Sequence, residues 1–177
     1  PMTAPDPCHD TASDIIDTFT VALRKAFNPN DPVCPPLGGG STTIYFLAGD
    51  GGLPPWNPTC DEPFLWVRAA NRYRTRTTEF PAAYIGDKNC TNPDLTPVLA
   101  IEIGIMRCTT LLDEPDWNRL TNEANISLDD SWRIEKALCV AATTWRRKDR
   151  LVATDTVTPF GPDGGVTAWT GMAYAQF

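Results

Sequence analysis

The C-terminal stretch Leu151 to Phe177 constrains the fold most: it alternates like a strand, turns, and returns as a second strand. The outgoing arm is Leu151 to Thr158, the turn Pro159 to Gly165, and the return arm runs from Val166 through Trp169 and Tyr174 to Phe177. β-Branched and aromatic residues suit a pleated surface, and Pro with the Gly164-Gly165 pair suits a turn. No reactive side chain belongs to this hairpin, which points to assembly rather than catalysis.

The rest of the chain reads as one domain. A helix is predicted from Thr11 or Ser13, as cap, to Phe27, because Ile15, Ile16, Phe19, Leu23, Ala26 and Phe27 recur at helical spacing. Strands are predicted over Thr42–Ala48, Phe64–Thr78 and Val98–Cys108. In the last, Leu99, Ile101, Ile103 and Ile105 form the buried face. In the second, Leu65, Val67, Ala69 and Tyr73 alternate with Trp66, Arg68, Arg72, Arg74 and Arg76. A polar connector over Thr109–Asn125 precedes a second helix from Ser127 to Arg147. That helix is capped by Ser127 with Asp130, and Leu128, Trp132, Glu135, Leu138, Ala142 and Trp145 lie along one stripe. Residues 1–10 form an extended tail; 28–41, 49–63 and 79–97, where Pro and Gly gather, form long loops. The expected fold is α+β, a mostly antiparallel sheet with a long C-terminal hairpin packed against two helices.

Composition narrows function. A net charge of −7 argues against a general nucleic-acid binder. No apolar run reaches the roughly 18–20 residues of a membrane helix. Pro1-Met2 fits a start from which an initiator methionine has been removed; with no leader visible, cytoplasmic synthesis is expected. The six cysteines are widely spaced and the single histidine, His9, lies in the tail, so no metal site and no cofactor are expected. Cys8, Cys34, Cys60 and Cys90 fall in loops and Cys108 and Cys139 in elements, as core thiols. All six are expected to start reduced, with oxidation in an extracellular particle left open.

No catalytic set emerges. Glu102, the one carboxylate within an apolar strand, is a general base only if its pKa is raised; the simpler reading pairs it with an arginine of the neighbouring strand. Arg68, Arg72, Arg74 and Arg76 read as an inter-subunit or solvated face rather than a phosphate site. Gly38-Gly39-Gly40 lacks the lysine and following helix of a phosphate loop, and no Ser-His-Asp or Cys-His set is available. The chain is therefore expected not to be an enzyme. Of the six tryptophans, Trp66, Trp132, Trp145 and Trp169 read as core or interface anchors, and Trp56 and Trp117 as loop contacts.

Several segments carry a family resemblance: Phe64-Leu-Trp-Val-Arg68, the strand Val98 to Cys108, the helix with Arg133, Leu138 and Cys139, and Pro159 to Trp169 before the terminal strand. Together they resemble the tail terminator proteins of long-tailed (siphovirus-type) bacteriophages, notably of actinobacterial hosts, and the element order is similar to the lambda-type terminator. The resemblance covers about Phe64 to Phe177 and, more faintly, Thr11 to Ala48. It implies a virion protein of the tail and neck, assembled in the bacterial cytoplasm. Six copies would form a ring on the head-proximal end of the tail tube, stop its polymerisation and offer the docking surface for the head. Its partners would be itself, the tail tube protein and the head-to-tail stopper or connector. DNA would pass through unbound, for which a negative charge is suited. In that setting Arg68, Arg72, Arg74, Arg76, Glu102, Trp56, Trp117 and Trp169 are the expected subunit or partner contacts. Another head-to-tail connector or stopper is a neighbouring reading, and a secreted, disulfide-stapled binding module is a reading of a different class.

Overall fold

The computed structural model describes residues 8–49, 51–55, 59–86, 92–110, 114, 116–147 and 149–177. Trp56, Cys90, Lys148 and most of the predicted tail lie outside the described residues. Helix α1 (Ala12–Ala26) is followed by β1 (Ile44–Ala48), β2 (Phe64–Arg76), a 3₁₀ turn (Thr77–Glu79) and β3 (Leu95–Cys108). Helix α2 (Trp117–Arg146) and strands β4 (Val152–Asp163) and β5 (Val166–Gln176) complete the chain. The fold is α+β. One sheet, ordered β1-β2-β3-β5-β4, is antiparallel except where β1 runs parallel to β2. Among the described residues no helix is long and apolar enough to cross a membrane.

Both helices cover the same face of the sheet, α1 over β1, β2 and β3, and α2 over β3 and the hairpin. The core between them follows from alternation. Leu65, Val67, Leu99, Ile101, Ile103, Ile105, Ala173 and Ala175 point into it from the sheet, against Ile15, Phe19 and Leu23 of α1 and Ile134, Leu138, Ala141 and Trp145 of α2. Gly171 permits the close approach of α2, since a Cβ there would lie 2.5 Å from Leu138 Cδ1.

Several boundaries differ from the sequence reading. Helix α2 starts ten residues early because Asp116, rather than Ser127, is its cap, accepting from the amides of Asn118 and Arg119. Most of the predicted connector is thus helical, and Ser127 instead accepts a hydrogen bond from Trp169 Nε1 at 2.7 Å. The buried stripe of α2 is Asp130, Arg133, Ile134, Ala137, Leu138, Ala141, Ala142 and Trp145, while Leu128, Trp132 and Glu135 face outward. The misreading has one cause: two buried charges replace apolar residues on the inner face. In α1, Asp10 rather than the side chain of Thr11 holds the first turn, accepting from Ala12 N. β3 begins at Leu95, shortening the predicted 79–97 loop. β4 continues through Pro159 to Asp163, and the hairpin turns on Gly164 and Gly165 alone, at φ 56° and 81°.

The buried charges explain why the Pro- and Gly-rich 28–41 segment has a defined path. Arg107 donates from Nε to Asp130 Oδ2 at 2.6 Å and from Nη2 to Oδ1 at 2.8 Å, and also to the carbonyls of Gly38 and Gly39. Arg133 donates to Asp129 at 2.7 Å and to the carbonyls of Ala26, Cys34 and Pro35, while Asp129 accepts from Leu37 N. The glycines that superficially suggest a phosphate loop therefore offer their oxygens to an arginine. Burial pushes the Asp130 carboxyl above its usual range, an effect that Arg107 offsets only in part.

Cys108 is not a core thiol. It ends β3 and is disulfide-bonded to Cys60, closing the 48-residue separation between them. Cys139 is exposed, one residue off the inward stripe of α2.

Removing one member of the buried ion pair strands the other. Asp130→Ala should therefore destabilise by about 3–5 kcal/mol, read as a lower urea midpoint. Arg107→Lys, which keeps the charge but loses the planar fork, should cost less. Reducing the Cys60–Cys108 bond, or replacing both cysteines with serine, should cost about 2–4 kcal/mol. An unchanged midpoint under reductant would contradict that.

Candidate interaction surface

The face of the sheet away from the helices carries the embedded carboxylate. Trp66, Arg68, Gly104, Glu102, Met106 and Ala168 share it, as the cross-strand pairs Trp66↔Gly104, Arg68↔Glu102 and Met106↔Ala168 require. Glu102 Oε1 accepts from Trp66 Nε1 at 2.7 Å and lies 3.3 Å from Arg68 Nη1. Arg68, only 7% exposed along its side chain, also donates to the carbonyls of Gly51 and Gly52 in the segment after β1. The glutamate is thus held by an indole N–H and a guanidinium, with its neighbours' hydrogen-bonding capacity directed inward. It acts as a structural pin that fastens the 51–53 segment over the sheet. Beneath that segment Trp66, Met106 and Ala168 form a second small apolar cluster, joined by Leu47, Leu53, Phe64 and Val166. Gly104 is required here: a Cβ would fall 2.2 Å from the Trp66 ring.

The four arginines of β2 do not form one row. The register with β3 shifts between Ala69 and Asn71, so Ala70 is an extra residue, and every later side chain changes face. Arg68 pairs across to Glu102, whereas Arg72 pairs across to Leu99 on the helix side. Tyr73 changes face in the opposite sense, away from Leu65 and Val67, and its hydroxyl donates to Pro81 O. Arg72 donates to both carboxylate oxygens of Asp10, at 2.8 and 3.0 Å, and lies over the Phe177 ring at 4.8 Å. This pairing, then the Ala12 amide, holds the Asp10 carboxyl below its usual range. Arg76 is 3.5 Å from Glu79 and stacks over Tyr84, and Arg74 is exposed.

The tryptophans divide between interior and surface. Trp66 and Trp145 are buried, and Trp145 donates to Gln176 O. Trp169, placed among the expected contacts, packs against the core and is tied to Ser127. Trp117 is 74% exposed at the start of α2. Trp132, read from sequence as a core or interface anchor, is 45% exposed, with Lys136 and Arg133 beside its ring.

Sequence reasoning missed one feature, a groove of about 570 Å³ between α1 and the β1 edge. Ile16, Ile44, Phe46, Ala69 and Leu99 line its interior, with Asp10, Asp17 and Arg72 at its rim. Phe46 is 59% exposed there. No three acidic, cysteine or histidine side chains among the described residues are grouped to hold a metal ion. The arrangement has the makings of a contact surface: exposed aromatics, charged rims and an unpaired strand edge. The chain matches no known family profile and no curated protein.

Charge reversal tests the pin. Glu102→Lys should destabilise by more than about 3 kcal/mol, since it places two cations against each other beside a buried indole. Glu102→Gln, which can still accept from Trp66, should cost about 1–3 kcal/mol. Wild-type stability in the lysine variant would show that the pair holds nothing.

Proposed function

We propose that the protein is a non-enzymatic virion component, a tail terminator that forms a ring on the head-proximal end of a phage tail tube and offers the docking surface for the head. The observation that carries this reading is the order of elements: one helix, three strands, a second helix, then a long terminal hairpin, all on one sheet. It is the order through which the sequence resembles that family. Two features support it physically. Glu102, the carboxylate embedded in β3, is engaged by Trp66 and Arg68, in a structural rather than a catalytic arrangement. Large apolar side chains are exposed at both outer strands, Tyr45 and Phe46 on β1 and Phe160 on β4, as expected of a subunit completed by neighbours. In this role the tail tube and a stopper or connector are its other partners, and the acidic chain lets DNA pass without adhering. Another connector of the neck is a variant of the same reading.

The Cys60–Cys108 disulfide favours a second reading, a secreted binding module. A virion protein oxidised after release from the cell accounts for the same bond.

The purified chain should sediment as a closed oligomer, bind the ends of isolated tail tubes and block their further growth. Negative-stain imaging and a tube-elongation assay read this directly. A monomer that ignores tube ends and is exported by cells in oxidised form would favour the secreted module instead.

A further inference from the structure

From the charge and shape at the two edges of the sheet, we infer that the groove between α1 and β1 receives the α2–β4 corner of a second copy of this chain, Leu151 entering the groove and Arg147 and Arg150 meeting Asp17 at its rim. This rests on the assembly reading above and adds which surfaces meet.

The groove and the corner are complementary. The groove is apolar inside and open, and its volume lies within the roughly 300–1,000 Å³ of binding clefts. On its border Asp17 of α1 is exposed, while Asp10 is already engaged by Arg72. Asp17 makes no ion pair among the described residues, so its charge is open to a partner. The corner has the opposite character. The sequence Arg146-Arg147-Lys148-Asp149-Arg150, just before Leu151, is the chain's densest basic run, with four basic residues in five. Arg147 and Arg150 are exposed and make no ion pair among the described residues, and Leu151 is 42% exposed. The corner is also anchored: Leu151 O accepts from Gln176 N, and Arg146 donates to Val152 O. A knob so fixed loses little conformational entropy on docking.

Placement makes the match usable. The corner leads into β4 and the groove flanks β1, the two opposite edges of the sheet. They lie at one level, since Val152 pairs with Ala175, Ala175 with Leu99, and Leu99 with Arg72 at the groove. Copies joined this way repeat sideways without climbing, which is the geometry of a head-to-tail contact that closes when its rotation closes. Further along β4, towards the hairpin tip, Pro159 and Pro162 blunt its outer edge, so the contact cannot extend there as a hydrogen-bonded ladder. Side chains therefore carry the contact. In a chain of net charge −7, opposite local patches also set which surfaces meet.

A charge swap in the full-length chain tests this, with the oligomer's dissociation followed by sedimentation velocity and folding by circular dichroism. Asp17→Arg and Arg150→Asp should each weaken assembly by about tenfold or more, because like charges then face each other. Combining the two should restore it, and Phe46→Asp should abolish it, all with native spectra. Single variants that assemble like wild type, or a double variant without rescue, would overturn the groove contact while leaving the assembly reading standing. A wild-type chain that stays monomeric at all concentrations would overturn both.

Discussion

Burial of the helix-facing side of β3 is the constraint on which the rest depends. Leu99, Ile101, Ile103 and Ile105 are nearly inaccessible, and they set the face on which both helices must lie. With that face filled, alternate residues of the same strand are committed to the opposite side. There Gly104 admits the Trp66 ring, and Glu102 must find donors because it is an acid in an apolar strand. Trp66 and Arg68 supply them from the neighbouring strand. The paired state of Glu102 is therefore a consequence of strand alternation rather than a separate feature.

Three arginines solve the same problem in different places, fixing loops that have no regular structure of their own. Arg68 holds the 51–52 carbonyls, Arg107 those of Gly38 and Gly39, and Arg133 those of Ala26, Cys34 and Pro35. A guanidinium can satisfy several carbonyls at once while pairing with a carboxylate, so it suits loops whose prolines and glycines cannot form ladders. Such loops present their side chains at defined positions.

Much of this was legible in the residues. The order of elements, the helix α1 stripe, the β3 core face and an arginine partner for Glu102 all followed from periodicity and from the cost of burying a charge. Periodicity also misled where inner positions were polar. Asp130 and Arg133 occupy the buried face of α2, so a search for apolar spacing selected Leu128 and Trp132, which face outward. Likewise an acidic segment read as a connector proved helical once Asp116 capped it, since capping rests on one side chain that periodicity does not register.

Local chemistry, then, was enough to give the order of helices and strands, though not the start of α2 or the end of β4, because side-chain period and turn residues act between near neighbours. What could not be read along the chain are relations between distant segments. The bulge at Ala70 depends on pairing with β3, and it alone separates Arg68 from Arg72, Arg74 and Arg76. The Cys60–Cys108 bond and the groove beside β1 join residues far apart in the chain. Their positions are set by how helices and strands pack, and packing energies are summed over contacts that no local pattern records.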